Sequence, residues 1–127
     1  CQSMQNFRGI ADDKGHGVFI GQVYVHHQAQ KTEAHQSNRN LILSKQAEIT
    51  TLPQFQIFAD DVICTHGATV GQLDEEGLFY LPSRVFSLDD AKDVLVHAFL
   101  LEQFQYIPNE VIKNWFMQKF EQRRERS

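Results

Sequence analysis

Six histidines (His16, His26, His27, His35, His66 and His97) and two cysteines (Cys1 and Cys64) are the side chains best suited to metal, sulfur or proton-transfer chemistry in this sequence. Cys64-Thr65-His66 places a thiol and an imidazole two residues apart. In an extended segment such residues project from one face about 6 to 7 Å apart, near enough to share a metal or a sulfur species. Thiolate with imidazole suits soft or borderline metals such as iron or zinc, but two ligands do not make a site, and the rest would have to come from elsewhere. A structural cysteine beside an unrelated polar histidine is the blander alternative.

A second constellation, His26-His27 with Glu33, suggests an independent metal-dependent enzyme built on a cupin-like β-barrel. Adjacent histidines on a strand face opposite sides, so both could reach one metal only across a bulge. The His-x-His arrangement usual in cupins is absent. Zinc-finger and HExxH spacings are absent too. The glycine-rich GHGVFIG, Gly15 to Gly21, lacks the Lys-Ser/Thr of a phosphate loop, and no GxSxG elbow is present. The residues carry no hydrolase or nucleotide-binding signature.

The 127 residues suit one small domain or part of a larger protein. Twelve basic against 16 acidic residues leave a formal charge of −4, which removes the electrostatic basis for binding nucleic acid or an anionic membrane. With 42% hydrophobic residues the chain can bury enough apolar surface to offset its entropy, which argues against disorder. No apolar run approaches the roughly 20 residues of a membrane span, and no signal peptide is evident, so a soluble intracellular protein is expected. Two cysteines are no disulfide framework. The opening CQSMQNF, without an initiator Met, is expected of a piece of something longer.

All seven glycines fall between Gly9 and Gly77, and this shift, with a change of period, predicts a boundary near Phe86. Before it, Val18 to Val25, Asn40 to Ser44, Phe55 to Cys64 and His66 to Gly71 read as short strands separated by polar turns such as DDKGHG and QSNRN. Tight-hairpin signals are missing, which allows strands stacked coil upon coil in parallel as well as a sandwich or barrel. Gln54 and Gln56 alternate with Phe55 and Ile57, either as an amide ladder or, more simply, as a solvated face. After the boundary, Ser87 reads as an N-cap. Ala91, Val94, Leu95, Ala98, Phe99, Leu101 and Phe104 then follow at helical spacing. Pro108 can open a second helix with an apolar face of Val111, Ile112, Trp115, Phe116 and Phe120. Trp115 and Phe116 are expected to pack inward with Met117 at the margin, or else the hairpin's second face meets a partner. The basic tail EQRRERS reads as a solvated helix terminus.

QKTEAHQSNRNLILS, the Pro53-Gln-Phe sequence leading into ADDVICTHGATVGQLDEE, and LFYLPSR resemble the C-terminal core of the SufB/SufD family of iron–sulfur cluster assembly, as does Gly17-Val-Phe-Ile-Gly-Gln-Val. CTHGATVG is similar to the SufD form of the motif, in which glycine follows the histidine. The resemblance implies a mainly β fold with C-terminal helices. Residues 1–86 would be the last coils of a right-handed parallel β-solenoid and residues 87–127 a helical hairpin. It further implies a non-catalytic scaffold in the bacterial cytoplasm or plastid stroma, with no stably bound cofactor and a transient iron–sulfur cluster or iron as cargo. A SufC-like ABC ATPase would bind within Ser87 to Phe120, and a SufB-like subunit would pair through the solenoid. His66 would sit at that pairing interface as the candidate metal contact, with Cys64 beside it. An exposed solenoid edge would also allow the chain to pair with itself.

Overall fold

The structure, a computed structural model, describes residues 1–73 and 88–124. Among them the strands are β1 (Gln2–Ala11), β2 (His16–Val25), β3 (Thr32–Ile42), β4 (Glu48–Ile57) and β5 (Val62–Gln72), followed by helices α1 (Leu88–Phe104) and α2 (Glu110–Arg124). The fold is mainly β with C-terminal helices, as expected. Two units are distinguished, Cys1–Tyr80 and Leu81–Ser127. The boundary expected near Phe86 and the cap expected at Ser87 lie outside the described residues.

Successive strands alternate between two parallel sheets, ordered β1-β3-β5 and β2-β4. Gln2 lies opposite Glu33, His16 opposite Glu48 and Thr32 opposite Val62, so a strand-turn-strand-turn unit recurs about every 30 residues. Parallel strands cannot be joined by two-residue hairpins, which explains why hairpin turn signals are missing from the sequence. The turns stack as well: Leu43 N–H donates to Ala11 O at 2.9 Å, Glu48 N–H to Gly15 O at 2.9 Å, and Phe58 N–H to Val25 O at 2.9 Å. The sheets are open, so the cupin-like barrel is not formed.

Three strand assignments change. QSNRN is not a turn but the middle of β3, and Phe55 to Cys64 is broken between β4 and β5 at Phe58–Asp61. β1, with few β-branched residues in QSMQNFRGIA, carries no strong strand signal and is held by its ladder to β3. The reason QSNRN can be a strand is that its amides bond one another inside the molecule. β3 lies between β1 and β5, and its inward residues Gln36, Asn38 and Asn40 are only 3%, 2% and 4% exposed. Asn40 Nδ2 donates to Asn38 Oδ1 at 2.7 Å, and Thr51 Oγ1 on β4 donates to the same oxygen at 2.7 Å. Asn40 Nδ2 also reaches Thr69 O at 3.3 Å on β5. Gly9, opposite Asn40, is needed here because a Cβ there would stand 2.5 Å from Asn40 Oδ1. Gln54 and Gln56 are exposed, in keeping with the solvated-face reading.

Residues on β2 and β4 that face the first sheet complete the interior. Phe19 packs on Phe7 with ring centroids 4.8 Å apart, and Phe55 meets His66 edge-on at 4.9 Å. The core is therefore small and mixed: Ala11, Val25, Ala34, Leu43 and Ala59 are its buried apolar residues among those described.

In the second unit α2 begins not at Pro108 but after Asn109, whose Oδ1 accepts from Val111 N–H at 2.9 Å and Ile112 N–H at 3.1 Å, an N-cap that satisfies otherwise orphaned amides. His97 faces Phe120 at 5.9 Å and Phe104 stacks on Phe116 at 6.4 Å, pairings that run in opposite chain directions and define an antiparallel hairpin. The half-buried stripe of α2 is Lys113, Met117 and Phe120. The expected inward face is thus corrected: Val111, Ile112 and Trp115 are 78%, 48% and 52% exposed, Phe116 is 44% exposed although it touches Phe104, and Met117 is the one tucked in. A two-helix unit offers α2 a single neighbour, so only one stripe can be covered.

Asn38→Ala is expected to lower the stability of the β unit by about 2–3 kcal/mol, because Asn40 and Thr51 lose a shared acceptor and a cavity opens. A lower urea midpoint with an unchanged slope is the measurement that checks it.

Candidate functional site

β5 pairs with β3 on one side, and among the described residues no strand pairs with its other side. Its alternation carries Cys64, His66, Ala68 and Val70 opposite Ala34, Gln36, Asn38 and Asn40, on the face that looks toward β2 and β4. Cys64 and His66 therefore share a face, as their spacing predicts. Cys64 is half-buried and a free thiol, while His66 is exposed. Among the described residues β4 is the last strand of its own sheet, so β5 is faced from one side only, by β4, whose Phe55 meets the His66 ring edge-on. The result is a thiol and an imidazole on the last strand of the stack among the described residues, beside a polar interior.

The opposite face of the same sheet carries a hydrogen-bonded line that sequence reading misses. His35 Nε2 donates to Glu33 Oε1 at 3.1 Å, and Nδ1 pairs with the Thr65 hydroxyl at 2.6 Å, accepting from it when the ring is neutral and donating to it when the ring is charged. Gln2 Nε2 donates to Glu33 Oε2 at 3.3 Å. The His35 hydrogen bond, followed by the Gln2 amide and the charge of His35, holds the Glu33 carboxyl below the usual carboxylate range. Glu33 and His35 share a face by their i, i+2 spacing, but Gln2 and Thr65 join them only because β3 is in register with β1 and β5, and that register is not visible in local spacing.

The His26, His27 and Glu33 constellation is not assembled. His26 and His27 sit in the turn after β2, with His26 edge-on to Tyr24 at 4.5 Å, whereas the Glu33 carboxylate is engaged by His35 and Gln2. No group of three or more His, Cys, Asp or Glu side chains placed to hold a metal occurs among the described residues. Cys64 and His66 are accordingly two candidate ligands without a third among the described residues. In the helical unit the exposed apolar residues Val111, Ile112 and Trp115 form a second candidate surface, with Trp115 braced edge-on against Phe116 at 5.0 Å.

Residues 1–99 match the family model described as SUF system FeS cluster assembly, SufBD core domain. The chain is 42% identical over 123 residues to the iron-sulfur cluster assembly protein SufD of Escherichia coli (strain K12), an alignment covering 97% of this chain and 29% of that protein. It is 48% identical over 99 residues to an iron-sulfur cluster assembly SufBD family protein of Synechocystis, covering 78% of this chain and 22% of the relative. The chloroplastic protein ABCI7 of Arabidopsis thaliana is 39% identical over 105 residues, 83% of this chain and 22% of that one. The chain thus spans less than a third of the length of these relatives.

The outer-face line makes a pH-dependent prediction. Glu33 has a lowered value in the folded chain, so the stabilisation it contributes is present above the ordinary carboxylate pKa and is lost as pH falls through the lowered one. In His35→Ala the Glu33 carboxyl is expected to titrate closer to its ordinary value, with the Gln2 bond retaining part of the depression. Carbon-13 NMR titration of the Glu33 side-chain carboxyl reads this directly.

Proposed function

The chain belongs to the SufB/SufD core-domain family of the SUF system for iron–sulfur cluster assembly and is SufD-like within it, and on that premise we propose that it works as a non-catalytic scaffold segment in building a cluster. The observation that carries this reading is Cys64 with His66 on an open strand edge: two ligands of a kind suited to iron, short of a full set. A second subunit could supply what is missing. In this reading the two stacked parallel sheets are the last coils of a right-handed β-solenoid, and β5 faces a SufB-like partner. His66 is then the contact to the nascent cluster or its iron, carried as cargo, and Cys64 is its neighbour.

The helical hairpin is the part that would receive a SufC-like ABC ATPase. Its support is the exposed apolar face Val111, Ile112 and Trp115, which α1 leaves uncovered. An aromatic braced by a neighbour, as Trp115 is by Phe116, is the kind of side chain on which protein interfaces concentrate their binding energy. The compartment proposed for this role is the bacterial cytoplasm or the plastid stroma, a reading supported by similarity to a bacterial and to a chloroplastic protein, and no described helix is long and apolar enough to cross a membrane.

His66→Ala in the full-length protein is expected to reduce cluster yield about tenfold or more, as loss of metal-site residues commonly does, while folding and ATPase binding stay intact. Protein-bound iron and sulfide measured after assembly decide it, and an unchanged yield would remove the role given to His66. Trp115→Ala is expected to weaken ATPase binding about tenfold or more without disturbing the β unit. Calorimetric titration of the ATPase checks this, and equal affinity would move the docking surface elsewhere.

A further inference from the structure

The polar interior is satisfied almost throughout, and the exception on β3 lies in register with His66. Gln36 is 3% exposed, and its Nε2 donates to Gln5 Oε1 at 3.0 Å on β1. Its own Oε1 is buried without a hydrogen-bond partner. A buried amide oxygen left unpaired is destabilising, so a donor within reach is favoured to pair with it. On the β1 side the amide is already engaged. On the β5 side the residue directly opposite is His66.

Register partners in a sheet point to the same side, and neighbouring strands lie about 4.8 Å apart. In this sheet such partners bond each other through their side chains repeatedly: Gln2 with Glu33, Gln5 with Gln36, and His35 with Thr65. The Gln36 amide cannot easily swing away, because a β-carbon at Gly21 would stand only 2.9 Å from its Nε2, showing how closely the opposite sheet confines it. The His66 ring, in contrast, is exposed and touches Phe55 only edge-on, so rotation about its side-chain bonds can bring a ring nitrogen toward β3.

We propose that Gln36 is a positioning residue for His66: its Oε1 accepts a hydrogen bond from one ring N–H of His66, which fixes a single tautomer and leaves the other nitrogen as a lone pair facing the open end of the stack. Gln5, Gln36 and His66 then form one continuous row across β1, β3 and β5. A metal-facing imidazole is commonly oriented in this way by an acceptor on its second nitrogen. The consequence for cluster chemistry rests on the role proposed above for His66, whereas the hydrogen bond itself does not.

The test is nitrogen-15 NMR of the ring nitrogens in the histidine-labelled intact protein at a pH where the imidazole is neutral. Wild type is expected to show His66 in one dominant tautomer. Gln36→Leu, which removes the acceptor, is expected to give a mixture, and Gln36→Glu, which retains one, is expected to restore the single form. Should Gln36→Leu fail to fold, Gln36→Met takes its place as an unbranched substitution without the acceptor. A mixed wild type, or the same tautomer ratio in wild type and in the acceptor-free variant, overturns the proposal. These readouts do not depend on cluster yield: a fixed tautomer with an unchanged yield in His66→Ala would remove only the cluster role given to His66, and a mixed tautomer would defeat only the positioning role.

Discussion

The parallel ladder that seats β3 between β1 and β5 sets almost everything else in the β unit. It brings Gln36, Asn38 and Asn40 inside, and it is also what makes their burial tolerable. A buried amide is costly unless both its donor and its acceptor are used. The register supplies those partners from Gln5 and the Thr69 carbonyl in the same sheet, while Thr51 reaches in from the facing one. Slipping β3 by one residue would turn these amides outward and bring Ser37, Arg39 and their neighbours into the core. A polar interior therefore demands one register more strictly than an apolar one of the same size, because hydrogen bonds fail with small displacements where dispersion contacts merely weaken.

The same constraint explains which features were legible in the sequence. Val18 to Val25 alternates clearly and lies within β2, and Cys64 and His66 share a face because that depends only on local extension. QSNRN reads as a turn by composition and is a central strand by context, since propensity tables do not include the cross-strand partners that satisfy asparagine. The His35–Thr65 bond joins residues 30 positions apart, and no local spacing encodes the offset at which coils stack. In the helical unit the 3.6-residue period is plain, but periodicity identifies an apolar stripe without saying what covers it. Val111, Ile112 and Trp115 are a clear example: a good stripe, left exposed, while Met117 turns toward α1.

Sheets that close into barrels have no edges, and open ones must manage theirs. The usual devices are charged side chains, proline, bulges or a covering element. β5, VICTHGATVGQ, contains no Lys, Arg, Asp, Glu or Pro, and its ladder to β3 runs without a bulge from Val62 to Gln72. Gly67, directly after His66, has open space where its side chain would be, with nothing within 4 Å. Among the described residues the strand thus combines an undefended edge with open space on its outer face at Gly67. An edge of this kind is open to pairing with another strand unless something ordinarily occupies it. A partner strand would meet a continuous row of backbone donors and acceptors there, and would approach Cys64 and His66 at close range. In the scaffold role proposed above, the same features that leave β5 poorly protected among the described residues are those that would let another chain reach Cys64 and His66.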